Sequence, residues 1–220
     1  MNIIAINGSP RKKFNTATIL QHVLDGARQA CPDIECEMVN LYEHDYKGCI
    51  SCFECKRLGG KNYGKCAVHD GIADILTRSL HADCLVFGSP VYFSDVTGMM
   101  RCFWERLYFP NFVYDKDYSS LAPKKIRTAF IYTMNIPEQL MDKTGYPQRF
   151  AQMEMFAGKL FGHKPFVQYV CDTYQFNDYS KYKMEVFSEA EKAKVRETQF
   201  PLDCRKAEEI GGKLASGVVA

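Results

Sequence analysis

The segment Gly8-Ser9-Pro10-Arg11-Lys12-Lys13-Phe14-Asn15-Thr16 has the residue types of an anion-binding turn. It follows the apolar run Ile3-Ile4-Ala5-Ile6, which reads as a short buried strand, and leads into a helical stretch from Ala17 to Ala30. A strand that turns through Gly and Ser into a helix start collects unpaired backbone N–H groups at one point. The helix dipole adds partial positive charge there, and Arg11, Lys12 and Lys13 add full charges. Such a point binds phosphate. The hydroxyl and amide groups of Ser9, Asn15 and Thr16 can donate alongside the backbone, and Arg11 offers a bidentate fork. A Walker loop would need Gly-Lys-Ser/Thr at its end, and a dinucleotide fingerprint would need three glycines where only Gly8 is present. The loop therefore suits a terminal phosphate better than a pyrophosphate, and FMN better than NAD.

A second ligand loop is expected at Ser89-Pro90-Val91-Tyr92-Phe93-Ser94, after the buried run Cys84 to Gly88. Tyr92 and Phe93 offer flat apolar neighbours for a ring system, and the loop amides can reach its polar edge. Pro90 stiffens the turn and lowers the cost of ordering it. Thr133-Met134-Asn135, after a later strand, can close the site with a hydroxyl and an amide. Ala17 and Ser89 complete the candidate cofactor-binding residues.

Four of the ten cysteines are clustered: Cys49-x2-Cys52-x2-Cys55, then ten residues to Cys66. Three thiolates at this interval can ligate one iron–sulfur cluster, with a fourth ligand from further along. Zinc held by four thiolates, a redox-active pair and unmetallated thiols are the alternatives. Lys47, Lys56, Arg57, Lys61 and Lys65 surround the loop and are expected to depress the thiol pKa values. Cys31, Cys36, Cys84, Cys102, Cys171 and Cys204 are scattered and read as packing residues.

These segments need a scaffold that brings distant loops together. Apolar runs at Ile3–Asn7, Ile34–Leu41, Cys84–Gly88, Ile126–Thr133 and Pro165–Cys171 alternate with helical patterns. The helices are expected at Ala17–Ala30, Gly71–Leu80 with Asp70 as cap, Val96–Tyr108, Pro147–Phe161, and within Ser188–Ser216 with a break at Pro201. Five strands alternating with helices predict a parallel sheet covered on both faces, of Rossmann or flavodoxin-like type. In either, the ligand lies beyond the carboxyl ends of the strands at the switch point, between the first and second ligand loops. Glu189–Glu197 is nearly all charged or alanine, and Glu105 with Arg106 reads as a surface or interface ion pair.

The two ligand loops together resemble those of the NADPH-dependent FMN reductase and iron–sulfur flavoprotein group of flavodoxin-like proteins, over roughly residues 1 to 135. That resemblance implies FMN, a doubly wound α/β/α fold with five parallel strands in the order 2-1-3-4-5, and assembly as homodimers or homotetramers. It carries Ser9, Arg11, Asn15 and Thr16 to the phosphate and Pro90 to Phe93 to the ring. It also implies a [4Fe-4S] cluster on Cys49, Cys52, Cys55 and Cys66. The gap before Cys66 is longer than in the compact motif of cluster-binding members, being filled by Gly59-Gly60-Lys61-Asn62-Tyr63-Gly64.

The remaining expectations follow from bulk properties. One domain of 220 residues is expected, with a cysteine-rich loop at 48–66 and a C-terminal helical extension from about 188. The net charge of +2 argues against a nucleic-acid partner. No apolar run approaches the ~20 residues of a membrane helix. The short apolar start runs into a Gly-Ser-Pro turn rather than a leader, so a cytoplasmic location is expected. The function expected is transfer of electrons from NAD(P)H through FMN to a small acceptor, such as a quinone, a flavin or an iron–sulfur centre, with no protein acid or base required. A non-enzymatic electron carrier or thiol redox module, and a zinc-stabilised scaffold without flavin, are the other readings.

Overall fold

The computed structural model describes all residues, Met1–Ala220. Its sheet contains β1 (Asn2–Asn7), β2 (Glu35–Asn40), β3 (Cys84–Tyr92), β4 (Asp95–Val96), β5 (Arg127–Thr133) and β6 (Phe166–Val170). The parallel strands run β2-β1-β3-β5-β6. Counted without the short β4, that is the 2-1-3-4-5 order of a flavodoxin-like fold. β4 is the one addition: the loop expected at Ser89–Ser94 is instead strand as far as Tyr92, and Val91 and Tyr92 pair antiparallel with Val96 and Asp95.

The central strands are apolar on both faces, which is why they read as continuous runs rather than as alternation. Ile4 and Ile6, Leu85 and Phe87, and Phe130 and Tyr132 enter one core, with α2 (Ala73–His81), α3 (Gly98–Tyr108) and α5 (Tyr146–Phe161). Ile3 and Ala5, Cys84 and Val86, and Ala129 and Ile131 enter the other, with α1 (Asn15–Ala30) and α7 (Phe200–Ala215). A short α4 (Met141–Thr144) precedes α5, and α6 (Glu189–Thr198) precedes α7, where Pro201 occupies the first turn.

Helices α1 and α7 meet backbone to backbone. A Cβ on Gly26 would stand 2.0 Å from the Glu208 carbonyl oxygen, and one on Gly211 would stand 1.9 Å from the Val23 carbonyl oxygen. No rotamer change relieves a clash with backbone, so the helices would have to separate. Gly26→Ala should therefore cost about 1–3 kcal/mol net, despite the roughly 1 kcal/mol by which Ala favours helix over Gly. Urea unfolding measures this, and an unchanged or higher midpoint would show that the contact is not tight.

The expected cap at Asp70 is not what forms. α2 begins at Ala73 behind Ile72, without a side-chain cap. The Asp70 carboxylate accepts the Ile72 N–H at 3.3 Å with one oxygen and pairs with Arg106 through the other.

Candidate functional site

At the carboxyl ends of β1, β3 and β5 lies a crevice walled by Ser9, Arg11, Asn15 and Thr16, by Pro90, Val91 and Tyr92, and by Thr133 and Asn135. Thr173 to Gln175, after β6, form its fourth side. The first loop is held open by its own side chains. Asn7 Oδ1 accepts the Ser9 N–H at 3.0 Å, and Ser9 Oγ accepts the Arg11 N–H at 3.1 Å. No side chain caps α1 and no acidic residue lies in its first turn. The first α1 amide with an intramolecular acceptor is that of Thr18, bonded to Phe14 O at 2.9 Å. The amides before it are free to meet an anion, and the dipole favours one there.

The loops are tied to each other. Thr16 Oγ1 and Thr133 Oγ1 lie 2.7 Å apart, joining the first wall to the third. Thr97, fully buried, caps α3 by accepting the Met100 N–H and donates to Gly8 O at 2.7 Å. Its own N–H donates to Ser89 Oγ at 3.0 Å. Thr97 thus joins the second wall to the first. Sequence reading passed over it, although a threonine just before a helix is the usual cap signal.

The other expected residues fall elsewhere. Ala17 is buried under the start of α1, and the Ser89 hydroxyl is engaged by Thr97 N–H and Pro90 O. Phe93 is fully exposed and borders a neighbouring cavity rather than the crevice. The Arg11 guanidinium donates to Gln175 O and stacks 4.7 Å from the Phe14 ring, and Asn15 Nδ2 donates to Tyr174 O at 2.7 Å. The aromatic segment Tyr174–Tyr182 that supplies these carbonyls packs on itself, with Phe176 stacked 3.9 Å from Tyr182.

The four clustered cysteines also meet. Cys49, Cys52, Cys55 and Cys66 line one narrow, mostly apolar hollow beside α3. Ser51 and Phe53 are left-handed, at φ 54° and 57°. Side chains with a Cβ adopt that conformation only when the surroundings enforce it, and alternating backbone of this kind turns successive N–H groups toward one point, as in many iron–sulfur sites. The donor set fits a four-thiolate centre. As the side chains lie, no three His, Cys, Asp or Glu groups stand close enough to hold a metal ion. Burial pushes the Cys55 thiol up, and the adjoining Lys56 only partly offsets it. The expected depression of thiol pKa is therefore reversed at Cys55. Lys56 itself is turned away, donating to the carbonyls of Phe109 and Phe112.

Arg106 corrects the sequence reading most. It is buried, not a surface ion pair. Nε donates to Cys66 Sγ at 3.3 Å, Nη1 to Lys47 O at 3.2 Å and to Asp70, and Nη2 to Val68 O at 2.9 Å. One guanidinium thus clamps both ends of the cysteine loop. Burial works to raise the Asp70 carboxyl, but hydrogen bonds from Arg106 and Ile72 outweigh it and hold the group below its ordinary value. Glu105, beside it, accepts the Cys49 N–H at 3.0 Å. The available signal was a lone arginine between Trp104 and Leu107 on an otherwise apolar helix face.

Fold and crevice together define a flavodoxin-like protein with a loop of free amides at its switch point. The chain belongs to the NADPH-dependent FMN reductase family, whose sequence model matches residues 1–129. It is 33% identical over 106 residues to an iron–sulfur flavoprotein of Methanocaldococcus jannaschii, covering 48% of this chain and 51% of that one. It is 35% identical over 112 residues to an iron–sulfur flavoprotein of Clostridioides difficile, covering 49% and 46%. These matches thus span about half the length of each curated relative. Among solved structures, an NAD(P)H:quinone oxidoreductase from Methanothermobacter marburgensis superposes with a TM-score of 0.68 at 15% identity, covering 97% of this chain and 98% of that one. An FMN-dependent NADH-azoreductase from Bacillus anthracis in complex with FMN gives 0.66 at 13%, covering 97% and 99%. At these identities the superpositions show the fold alone. No helix is long and apolar enough to cross a membrane.

Proposed function

We propose that this chain binds FMN in the crevice between Ser9–Thr16, Pro90–Tyr92 and Thr133–Asn135 and moves electrons from NAD(P)H to a small acceptor. One observation carries the reading. Three strand-end segments, distant in sequence, wall a single crevice at the uncapped start of α1. Family membership supports it. FMN, when bound, supplies the exchange of a hydride from a nicotinamide for electrons delivered singly or in pairs. The residues of the chain bind and orient. The free amides before Thr18 and the Ser9 and Thr16 hydroxyls suit the phosphate, and Pro90, Val91 and Tyr92 wall the ring side. No side chain is given an acid or base role, because hydride transfer requires none.

The cysteine loop is proposed to hold a [4Fe-4S] cluster, a one-electron store, through Cys49, Cys52, Cys55 and Cys66. Its support is the shared hollow, the left-handed turns and the description of the M. jannaschii and C. difficile relatives as iron–sulfur flavoproteins. We place the protein in the cytoplasm as a homodimer or homotetramer, in keeping with the exposed aromatic residues Tyr114, Tyr118 and Phe156. Light scattering on the purified protein checks the assembly.

The visible spectrum of protein purified without oxygen, with iron and sulfide analysis, tests both cofactors. Two flavin bands and a broad brown shoulder are expected. A chain that stays colourless after incubation with FMN would sink the flavin reading. Bound flavin with no iron after anaerobic reconstitution would sink the cluster alone. Arg11→Ala should weaken FMN binding about 10- to 100-fold, the usual value of hydrogen bonds to a charged group. Fluorescence titration measures it, and unchanged affinity would take Arg11 out of the phosphate site.

A further inference from the structure

Of the four cysteines that line the hollow, only Cys66 accepts a hydrogen bond at its sulfur, from Arg106 Nε at 3.3 Å. That donor is fixed in place. The guanidinium is planar, and its other two nitrogens are held by Lys47 O at 3.2 Å, Val68 O at 2.9 Å and Asp70. A rotation that turned Nε away from the sulfur would break those bonds as well. Asp70 is held in turn by the Ile72 N–H.

The charge of Arg106 also acts at close range and out of water. Its side chain is 1% exposed and lines the hollow, with the Asp70 carboxylate behind it. The other cations around the loop are placed differently. Lys47, Arg57, Lys61 and Lys65 are exposed, where water and salt screen them. Lys56 donates to the carbonyls of Phe109 and Phe112. Glu105, which accepts the Cys49 N–H, is exposed too. Arg106 with Asp70 is therefore the charge pair beside the hollow that solvent screens least.

We infer that Arg106 is a positioning residue for electron transfer, whose N–H donor and buried charge, opposed by Asp70, set the reduction potential of the cluster proposed on Cys49, Cys52, Cys55 and Cys66. The inference rests on that cluster reading. A four-thiolate iron–sulfur cluster carries net negative charge, and its reduction adds one electron with no bond broken. Its potential depends on net charge, hydrogen bonds to sulfur and solvent exposure. A donor and a positive charge at Cys66 stabilise the reduced state more than the oxidised one, so both raise the potential. The Asp70 carboxylate lowers it.

The test is a redox titration of the protein reconstituted with iron and sulfide, followed by the paramagnetic resonance signal of the reduced cluster. Arg106→Met removes donor and charge. Its potential should fall, with reduction about tenfold less favourable, or about 59 mV for one electron. Asp70→Asn keeps an acceptor for Arg106 and for the Ile72 N–H but removes the opposing charge, so its potential should rise. Asp70→Glu disturbs the same contacts, keeps the charge and should stay near wild type. A loop that merely loosened would admit water, which favours the more highly charged reduced state. A purely structural role would therefore move all three variants upward. Should Arg106→Met fail to take up iron, the contrast between Asp70→Asn and Asp70→Glu decides. An unchanged or raised potential in Arg106→Met, or equal shifts in the two Asp70 variants, overturns the inference. Wild-type protein that takes up no iron would overturn the cluster reading, and this inference with it.

Discussion

Arg106→Met is expected to destabilise the protein by about 3–5 kcal/mol and to loosen the cysteine loop. The guanidinium is almost fully buried, and its partners are Cys66, Asp70 and the carbonyls of Lys47 and Val68. Methionine fills similar space but donates to none of them. The two carbonyls and the half-buried carboxylate would then lose partners they cannot recover from solvent without opening the loop. Arg106→Lys should rescue little, because an ammonium is a point donor and cannot span four acceptors in one plane. A fall in melting temperature of about 10 °C is expected for a chain of this size. Cys55, now buried, should react faster with a thiol reagent. A melting point within a degree or two of wild type would show that the clamp carries no stability.

Lys192→Met should have an effect of the same order, with a different consequence. The Lys192 side chain is fully buried, donates to Asp172 and to Asn135 O at 3.0 Å, and lies 4.8 Å from the Phe187 ring. Asp172 is itself left-handed, at φ 51°, and directly precedes the crevice segment Thr173–Gln175. Asn135 lies on the adjoining wall, after β5. One ammonium therefore reinforces the backbone ties between the loops after β5 and β6 and seats α6 upon them. Its loss leaves Asp172 largely buried without a counter-charge, a cost of about 3–5 kcal/mol at full burial and less here because the carboxylate keeps some exposure. FMN affinity should fall together with stability, since the two walls then keep only the bonds of Asp172 to Ile136 O and of Thr173 to Met134 O. Thermal melts with and without FMN separate the two effects. A variant with reduced stability and wild-type FMN affinity would show that the latch does not shape the crevice.

Much of the site was legible because it depends on local chemistry. Gly8 to Thr16 announces a strand-to-helix turn whatever surrounds it, whereas Ser89 to Tyr92, which reads as a loop, is the end of β3. Phe93 illustrates where this stops. Its neighbour Tyr92 faces the crevice, but the antiparallel pairing of Val91–Tyr92 with Asp95–Val96 forces a tight reversal and carries the next ring to the other side. That pairing involves four residues and leaves no periodic signal. Arg11 is a second example. Its charge is evident, but its partner is a backbone carbonyl 164 positions away, at Gln175.

The chain's own order of apolar runs and helical stretches determined the parallel sheet, its two covered faces and the switch point, because burial on both sides demands continuous apolar strands and right-handed crossovers leave few ways to connect them. It also determined the uncapped loop before α1, since free amides at the start of a helix follow from hydrogen-bond geometry alone. Tertiary structure decided the fate of the charged residues. Arg106 reads as one half of a surface or interface ion pair, and Lys192 sits in a helix that is nearly all charged or alanine. Each is buried because acceptors from remote segments converge on it, Asp70 and Val68 for one, Asp172 and Asn135 for the other. A buried charge is tolerated only where partners are already in place, and those partners exist only once the chain has folded.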